Sequence, residues 1–289
     1  MFLFLHAGAG SSSYSSLLRL KKILKQMLLS SDSLKELAKE MEESSMLNCG
    51  KGSNKTQQNA IENECCQMSD KDNFISLCLI PSHILPYDAL QEEKNKERQK
   101  GLVVPLSTAY RTEGTFKCPT GINNEKDISL DAPNDTVGII EVTNSLMQGY
   151  SSSGGLKKKY PGRIGPCSVY GANTFVTKNA GVVISGTGES LIKWQLAKRI
   201  HKLSKKLRVE SIKTVISRFM KEESEFPYMA GIAVVKKSSS LFLIHFQTAE
   251  SFLFGYKVEK KVRIVLHRQK AGEIFINMEK IECSQEKNK

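Results

Sequence analysis

The chain has 289 residues, of which 40% are apolar and 25% charged, with a formal net charge of +12. That composition is ordinary for a globular protein with a substantial core. It excludes a helical membrane protein, because no apolar run approaches the roughly 18 residues a spanning helix needs.

The first element predicted is a buried strand over Phe2 to His6, followed by a glycine turn, Ala7-Gly8-Ala9-Gly10. The apolar start has no basic flank and His6 interrupts it early, so it is read as a strand rather than a signal peptide. A cytoplasmic or nuclear location is the corresponding expectation. Leu17, Leu18, Leu20, Ile23, Leu24, Met27 and Leu28 then recur at helical spacing, with lysines on the other face. Ser31-Asp32-Ser33 breaks and re-caps the chain, and a second helix runs through Leu34, Leu37 and Met41.

Asn48 to Asn54 reads as a loop. Residues 55–80 are ambiguous, except for a strand over Phe74 to Ile80. A charged helix is predicted from Ser82 to Lys100, with Tyr87, Ala89 and Leu90 inward. Glu113 to Asn134 is polar and turn-rich, and reads as a flexible loop open to scission.

Beyond it the pattern turns to strands. Val137 to Thr143 and Leu146 to Ser152 read as a hairpin, and Ala180 to Ser185 as a further strand. Helices follow over Glu189 to Leu207 and Val209 to Glu222. The remainder reads as an antiparallel meander: Met229 to Val235, Leu241 to Phe246, Phe252 to Val258, Val262 to Leu266 and Glu273 to Met278. Strands in both halves with helices between them indicate layered α/β architecture.

Several motifs have plain readings. The seven cysteines form no C-x-x-C, which supports neither zinc nor a redox pair. Gly186-Thr187-Gly188-Glu189 lacks the third glycine of a dinucleotide turn. Gly50-Lys51-Gly52-Ser53 is out of frame for a phosphate loop. The five histidines show no ligand spacing, so no metal or other cofactor is expected. Lysine clusters at 21–25, 157–159, 202–206 and 257–261 lack an RNA motif or recognition helix. They read as a solvated basic surface, or as attraction toward acidic partners, with no direct nucleic-acid or membrane binding expected.

One constellation carries chemistry. Thr136 stands where the polar loop meets a β-branched run. Freed as an N-terminal residue, it would carry a hydroxyl nucleophile and its own α-amine as base. Ser151-Ser152-Ser153-Gly154-Gly155 follows, with glycines that let backbone approach a ligand. Tyr160-Pro161-Gly162-Arg163 fixes an arginine in a turn, and a strand ends at Ser185-Gly186. Together these supply two hydroxyls, a fork for a carboxylate and a corner of backbone donors.

The chain resembles the threonine aspartases (taspases), in the type 2 asparaginase branch of the N-terminal nucleophile hydrolases. The resemblance rests on His6 to Gly10, Asn48 to Asn54, Asp135-Thr136-Val137-Gly138, Ser152 to Gly165, Ser185 to Glu189, and Thr248 to Ser251 with Gly255-Tyr256. It runs in order along nearly the whole chain and is closest from Asp135 to Leu196. Asp135 before the nucleophile, Ser153 in place of a second threonine, and Pro166 in place of the amine-gripping aspartate favour threonine aspartase over asparaginase. Departures are Glu64-Cys65-Cys66-Gln67-Met68 for the family's acidic segment, Phe74-Ile75-Ser76-Leu77 for a glycine-rich strand, and a short loop before Thr136.

The resemblance implies a four-layer αββα sandwich forming a single hydrolase domain. Cleavage between Asp135 and Thr136 would give chains 1–135 and 136–289, an αβ heterodimer that pairs into a dimer of heterodimers. It implies Thr136 as nucleophile, Ser153 as its support, Ser185 and the Gly186 N–H as oxyanion donors, and Arg163 with Gly154 and Gly188 as the substrate pocket. The substrates would be proteins cut after an internal aspartate. The alternatives are an isoaspartyl peptidase or asparaginase on small substrates, and an inactive relative that binds an acidic partner.

Overall fold

The computed structural model describes residues 1–10, 12–71, 74–99, 106–109, 136–223 and 228–281. In chain order the elements are β1 (Phe2–Gly10), α1 (Tyr14–Ser30), α2 (Leu34–Glu43), β2 (Glu62–Ser69), β3 (Ile75–Pro81), α3 (Pro86–Gln99) and β4 (Leu106–Ala109). After the undescribed segment come β5 (Val137–Val142), β6 (Met147–Ser153), β7 (Thr174–Thr177), β8 (Ala180–Gly186), α4 (Gly188–Trp194), α5 (Leu196–Ser204) and α6 (Val209–Glu222). The chain finishes with β9 (Met229–Lys237), β10 (Ser240–Gln247), β11 (Ser251–Val258), β12 (Lys261–Arg268) and β13 (Phe275–Ile281).

The strands form two sheets. One has eight strands in the order β12-β11-β1-β5-β6-β2-β3-β4, the other five in the order β13-β10-β9-β8-β7. Neighbours are antiparallel apart from β3 and β4. The sheets stack face to face through β1, β5 and β6 against β8 and β9. Helices α1 to α3 cover the outside of the large sheet, and α5 and α6 the outside of the small one. This is the four-layer αββα sandwich of the N-terminal nucleophile hydrolases.

The two-residue period of a strand explains how one sequence serves two cores. In β1, Phe4 points between the sheets while Leu3 and Leu5 point toward the helices. In β5, Ile140 and Val142 lie between the sheets, and Val137 and Ile139 face the helices. Both faces are covered, so these strands read as continuous apolar runs rather than as alternation.

Four expectations are corrected. The glycine turn after His6 is not a turn: β1 continues to Gly10, with a register irregularity between His6 and Ala9. The helix expected over Glu189 to Leu207 is two helices, broken at Gln195, whose φ of 45° is left-handed. The terminal meander is divided, since β9, β10 and β13 belong to the small sheet and β11 and β12 to the large one. The basic surface is not uniformly solvated either. Lys159 and Lys257 are buried, and Lys257 Nζ donates to Ser31 O at 2.8 Å and Asp32 Oδ1 at 2.7 Å, closing the corner after α1. The flexible loop expected over Glu113 to Asn134, together with Asp135, lies outside the described residues.

Candidate active site

Thr136 is buried at the entrance to β5. Its setting follows from how closely β5 approaches β8. A side-chain carbon added at Gly138 would stand 2.8 Å from Val183 Cβ, and one at Gly181 would stand 3.3 Å from Ile140 Cγ2. The pairs 138/183 and 140/181 therefore face each other across the sheets, running in opposite directions. Two residues further along, the same alternation brings Thr136 level with Ser185.

Gly138 is required by the close approach. Beside it in register is His6, and an added carbon would lie 2.2 Å from its Nε2. His6 is fully buried, accepts a hydrogen bond at Nδ1 from the Gly8 N–H at 3.2 Å, and is held neutral, its pKa pushed down to about 3 by burial.

Strand β6 supplies the second wall. Val137 pairs with Ser152, which sets Ser153 beside Thr136, and Ser153 pairs on its other side with Glu64. Ser153 Oγ accepts the Gly155 N–H at 3.0 Å, which leaves its own hydrogen to donate. The loop that follows is clamped. Gly154 N donates to Asn48 O, and Asn48 Nδ2 and Asn54 Nδ2 both donate to Gly155 O, each at 2.9 Å. Gly155 has φ of +72°, which favours glycine, and a carbon on Gly154 would stand 2.5 Å from Ser53 Cβ.

Arg163 lies across this loop. Its Nη1 is 3.1 Å from where a carbon on Gly155 would be, and its Nη2 is 2.8 Å from the equivalent position on Gly188. The guanidinium thus occupies a slot between two glycines. Its Nε and Nη2 both reach Glu189 Oε1, at 2.8 and 2.7 Å, so Glu189 takes one edge of the fork. The Nη1 side is turned toward Gly155. Pro166 Cδ stands 2.9 Å from the same position on Gly188, forming an uncharged wall.

Below Arg163 is a buried ionic floor with no assigned role in the sequence reading. Lys159 Nζ donates to Glu62 O at 2.6 Å. Glu64 Oε2 accepts from Gly165 N at 2.6 Å and Ser168 Oγ at 3.2 Å. Burial raises Glu64, while Lys159 and Arg163 pull it back; burial lowers Lys159, and Glu64 and Glu62 oppose that. Lys159 was hidden inside a lysine run, and Glu64 sat in a stretch with no clean period. The last wall is the end of β8, where Ser185 pairs with Ala230 and Gly186 with Met229. Thr187 fixes the turn into α4, its N–H donating to Tyr228 O at 3.0 Å and its Oγ1 accepting Tyr228 N at 3.2 Å.

Thr136, Ser153, Gly154, Arg163, Ser185, Gly186 and Gly188 thus converge on one end of the sandwich. Buried thiols do not compete as nucleophiles. Burial pushes Cys66 up to about 12 and raises Cys49, Cys65 and Cys167 well above the ordinary thiol range. Among the described residues, no group of His, Cys, Asp or Glu is placed to hold a metal ion. No described helix is long and apolar enough to cross a membrane.

Two comparisons with known proteins place the chain in a family. A probable isoaspartyl peptidase/L-asparaginase from Drosophila melanogaster is 33% identical over 89 residues, which is 29% of this chain and 26% of that protein. The matching segment thus spans about a quarter of that relative's length. The sequence profile of the asparaginase family (Asparaginase_2) matches residues 86–266, a stretch that holds β5, β6, β8 and every described residue of the convergence. With more than half of its length inside that profile, and with the layered sandwich the profile implies, the chain belongs to the asparaginase family of N-terminal nucleophile hydrolases.

Proposed function

We propose that this protein is a self-processing hydrolase that uses Thr136 as an N-terminal nucleophile and cuts protein substrates after aspartate. The observation that carries the reading is the facing of Thr136 and Ser185 across the two sheets, with Arg163 in its glycine slot alongside.

In the precursor, Thr136 Oγ attacks the Asp135 carbonyl. The acyl group moves from nitrogen to oxygen, and water hydrolyses the resulting ester. The products are a carboxylate at Asp135 and a free amine on Thr136. That amine, with a pKa of about 8 in an unperturbed chain, accepts the hydroxyl proton near neutral pH. In trans, the hydroxyl attacks the substrate carbonyl, the leaving amine takes the proton, and water releases the acyl group.

Ser153 supports Thr136 through its remaining hydroxyl hydrogen. Ser185 and the Gly186 N–H stabilise the oxyanion, each such donor lowering the barrier by about 3 kcal/mol. Arg163 binds the substrate aspartate, with Gly154 and Gly188 keeping the backbone close. Pro166 supports a protein substrate. A free amino acid brings an α-amine that needs an acidic partner, whereas a residue inside a polypeptide does not, and Pro166 offers no charge. The product of scission would be an αβ heterodimer able to pair with a second one.

A denaturing gel tests the reading. Wild type gives two fragments meeting between Asp135 and Thr136, and Thr136→Ala gives one band. Wild type that stays whole after long incubation overturns it. The second reading, an isoaspartyl peptidase or asparaginase, draws on the name of the fly relative. Offering asparagine, an isoaspartyl dipeptide and an Asp-Gly polypeptide side by side separates the two.

A further inference from the structure

On the opposite side of the large sheet from β8 lies a feature the proposed reaction does not use. Between α1 and β12 runs a groove of about 830 Å³. Arg19, Lys21, Lys22 and Lys25 line it from the helix and Arg263 from the strand, and no acidic residue lines it. Arg263 is engaged by Glu279 at 2.7 Å, whereas the four helix cations form no ion pair among the described residues. The floor is apolar: Leu18 is 38% exposed, and Val262 and Ile264 are only partly covered.

The strand side matters as much as the charge. β12 is the outermost strand of its sheet, eight residues long, hydrogen-bonded to β11 on one side only among the described residues. A free edge offers a row of backbone donors and acceptors to an incoming strand. A second copy of this chain is a poor occupant. Antiparallel pairing of two full-length β12 strands would set Lys261 against Arg268 at both ends, and like charges across a ladder destabilise it.

We propose that this groove docks an acidic, extended peptide segment of another protein, which adds to the edge of β12. Alternate side chains of the added strand point toward α1, where carboxylates meet Arg19, Lys22 and Lys25. Small apolar residues between them point to the other face of the sheet, alongside Val265. The proposal does not depend on the reaction assigned to Thr136.

Fluorescence anisotropy tests it with a labelled eight-residue peptide of alternating Glu and Val, titrated with the full chain. Binding is expected, with a Kd that rises at least tenfold in the exposed double variant Lys22→Glu/Lys25→Glu. The rise should also appear when a central Val of the peptide is replaced by Pro, which removes a backbone donor. An unchanged thermal midpoint for the variant shows that the loss is not unfolding. Equal affinity for the Pro peptide, or undiminished binding by the variant, overturns the proposal. So does a single-stranded oligonucleotide that binds more tightly at 150 mM salt and is lost in the same variant, since that result describes a general anion patch.

Discussion

Gly138→Ala puts the packing beside Thr136 to a quantitative test. The new methyl would stand 2.2 Å from His6 Nε2 and 2.8 Å from Val183 Cβ, where carbon contacts prefer about 3.5–4.0 Å. At least one neighbour must retreat by more than an ångström. Neither has room: His6 and Val183 are both fully buried, and the His6 ring packs against Phe252 with centroids 5.9 Å apart. Overpacking of this kind costs about 1–3 kcal/mol, and the two simultaneous contacts put the expected loss at the upper end, about 3 kcal/mol. The strain falls two residues from Thr136, so self-cleavage should slow as well. His6→Ala removes the obstructing ring. In that background Gly138→Ala should cost about 1 kcal/mol less or better, a coupling that urea unfolding of the four proteins resolves. Strictly additive costs would refute the argument, because the two sites would then not share the space the structure gives them.

Three further outcomes are expected. Arg163→Ala should raise KM for aspartyl substrates by at least tenfold while changing self-cleavage less, and Arg163→Lys should recover only part of the loss, since a single ammonium cannot present a fork; equal turnover of Asp and Ala peptides by wild type would remove the role. Glu189→Ala should also raise KM without lowering kcat, because it frees the guanidinium from the carboxylate that orients it at 2.7 Å; a fall in KM would mean that Glu189 competes with substrate instead. The third concerns pH. Burial lifts Glu42 from 4.5 to about 7, so between those values the folded protein holds a proton that the unfolded chain has released, and stability present at low pH is lost as pH rises through that window, by about 3 kcal/mol. Glu42→Gln should flatten this slope in a pH series of thermal midpoints, and an unchanged slope would assign it to other groups.

The sequence carried the second half of the molecule well, for physical reasons. From Val137 to Val142 and from Val209 to Glu222 the periodicity is strong and the turn residues agree with it, and both elements form as expected. Thr136, Ser153, Arg163 and Ser185 stood out through the order of short hydroxyl-, glycine- and arginine-bearing motifs rather than singly, since a threonine or serine at a strand end is common for structural reasons alone. β2 was not legible. Glu62-Asn63-Glu64 looks like a surface segment, yet Asn63 and Glu64 are buried between neighbouring strands and take hydrogen bonds from Ser53, Gly165 and Ser168. Polar residues that are paired only by distant parts of the chain leave no local signature. The meander failed for a related reason, because which of two stacked sheets a strand joins is decided by long-range pairing rather than by its own residues.

The order of the large sheet has a mechanical consequence. Reading across it, two strands from the last quarter of the chain come first, then β1, then β5 and β6, then β2 to β4. Pieces from either side of residue 135 are shuffled like interlaced fingers. A nick in the segment before Thr136 therefore could not let the halves drift apart. The broken chain should travel as one body in a native gel and come apart only in detergent, and pulling the pieces away from each other would mean tearing open the ladders on both flanks of β1.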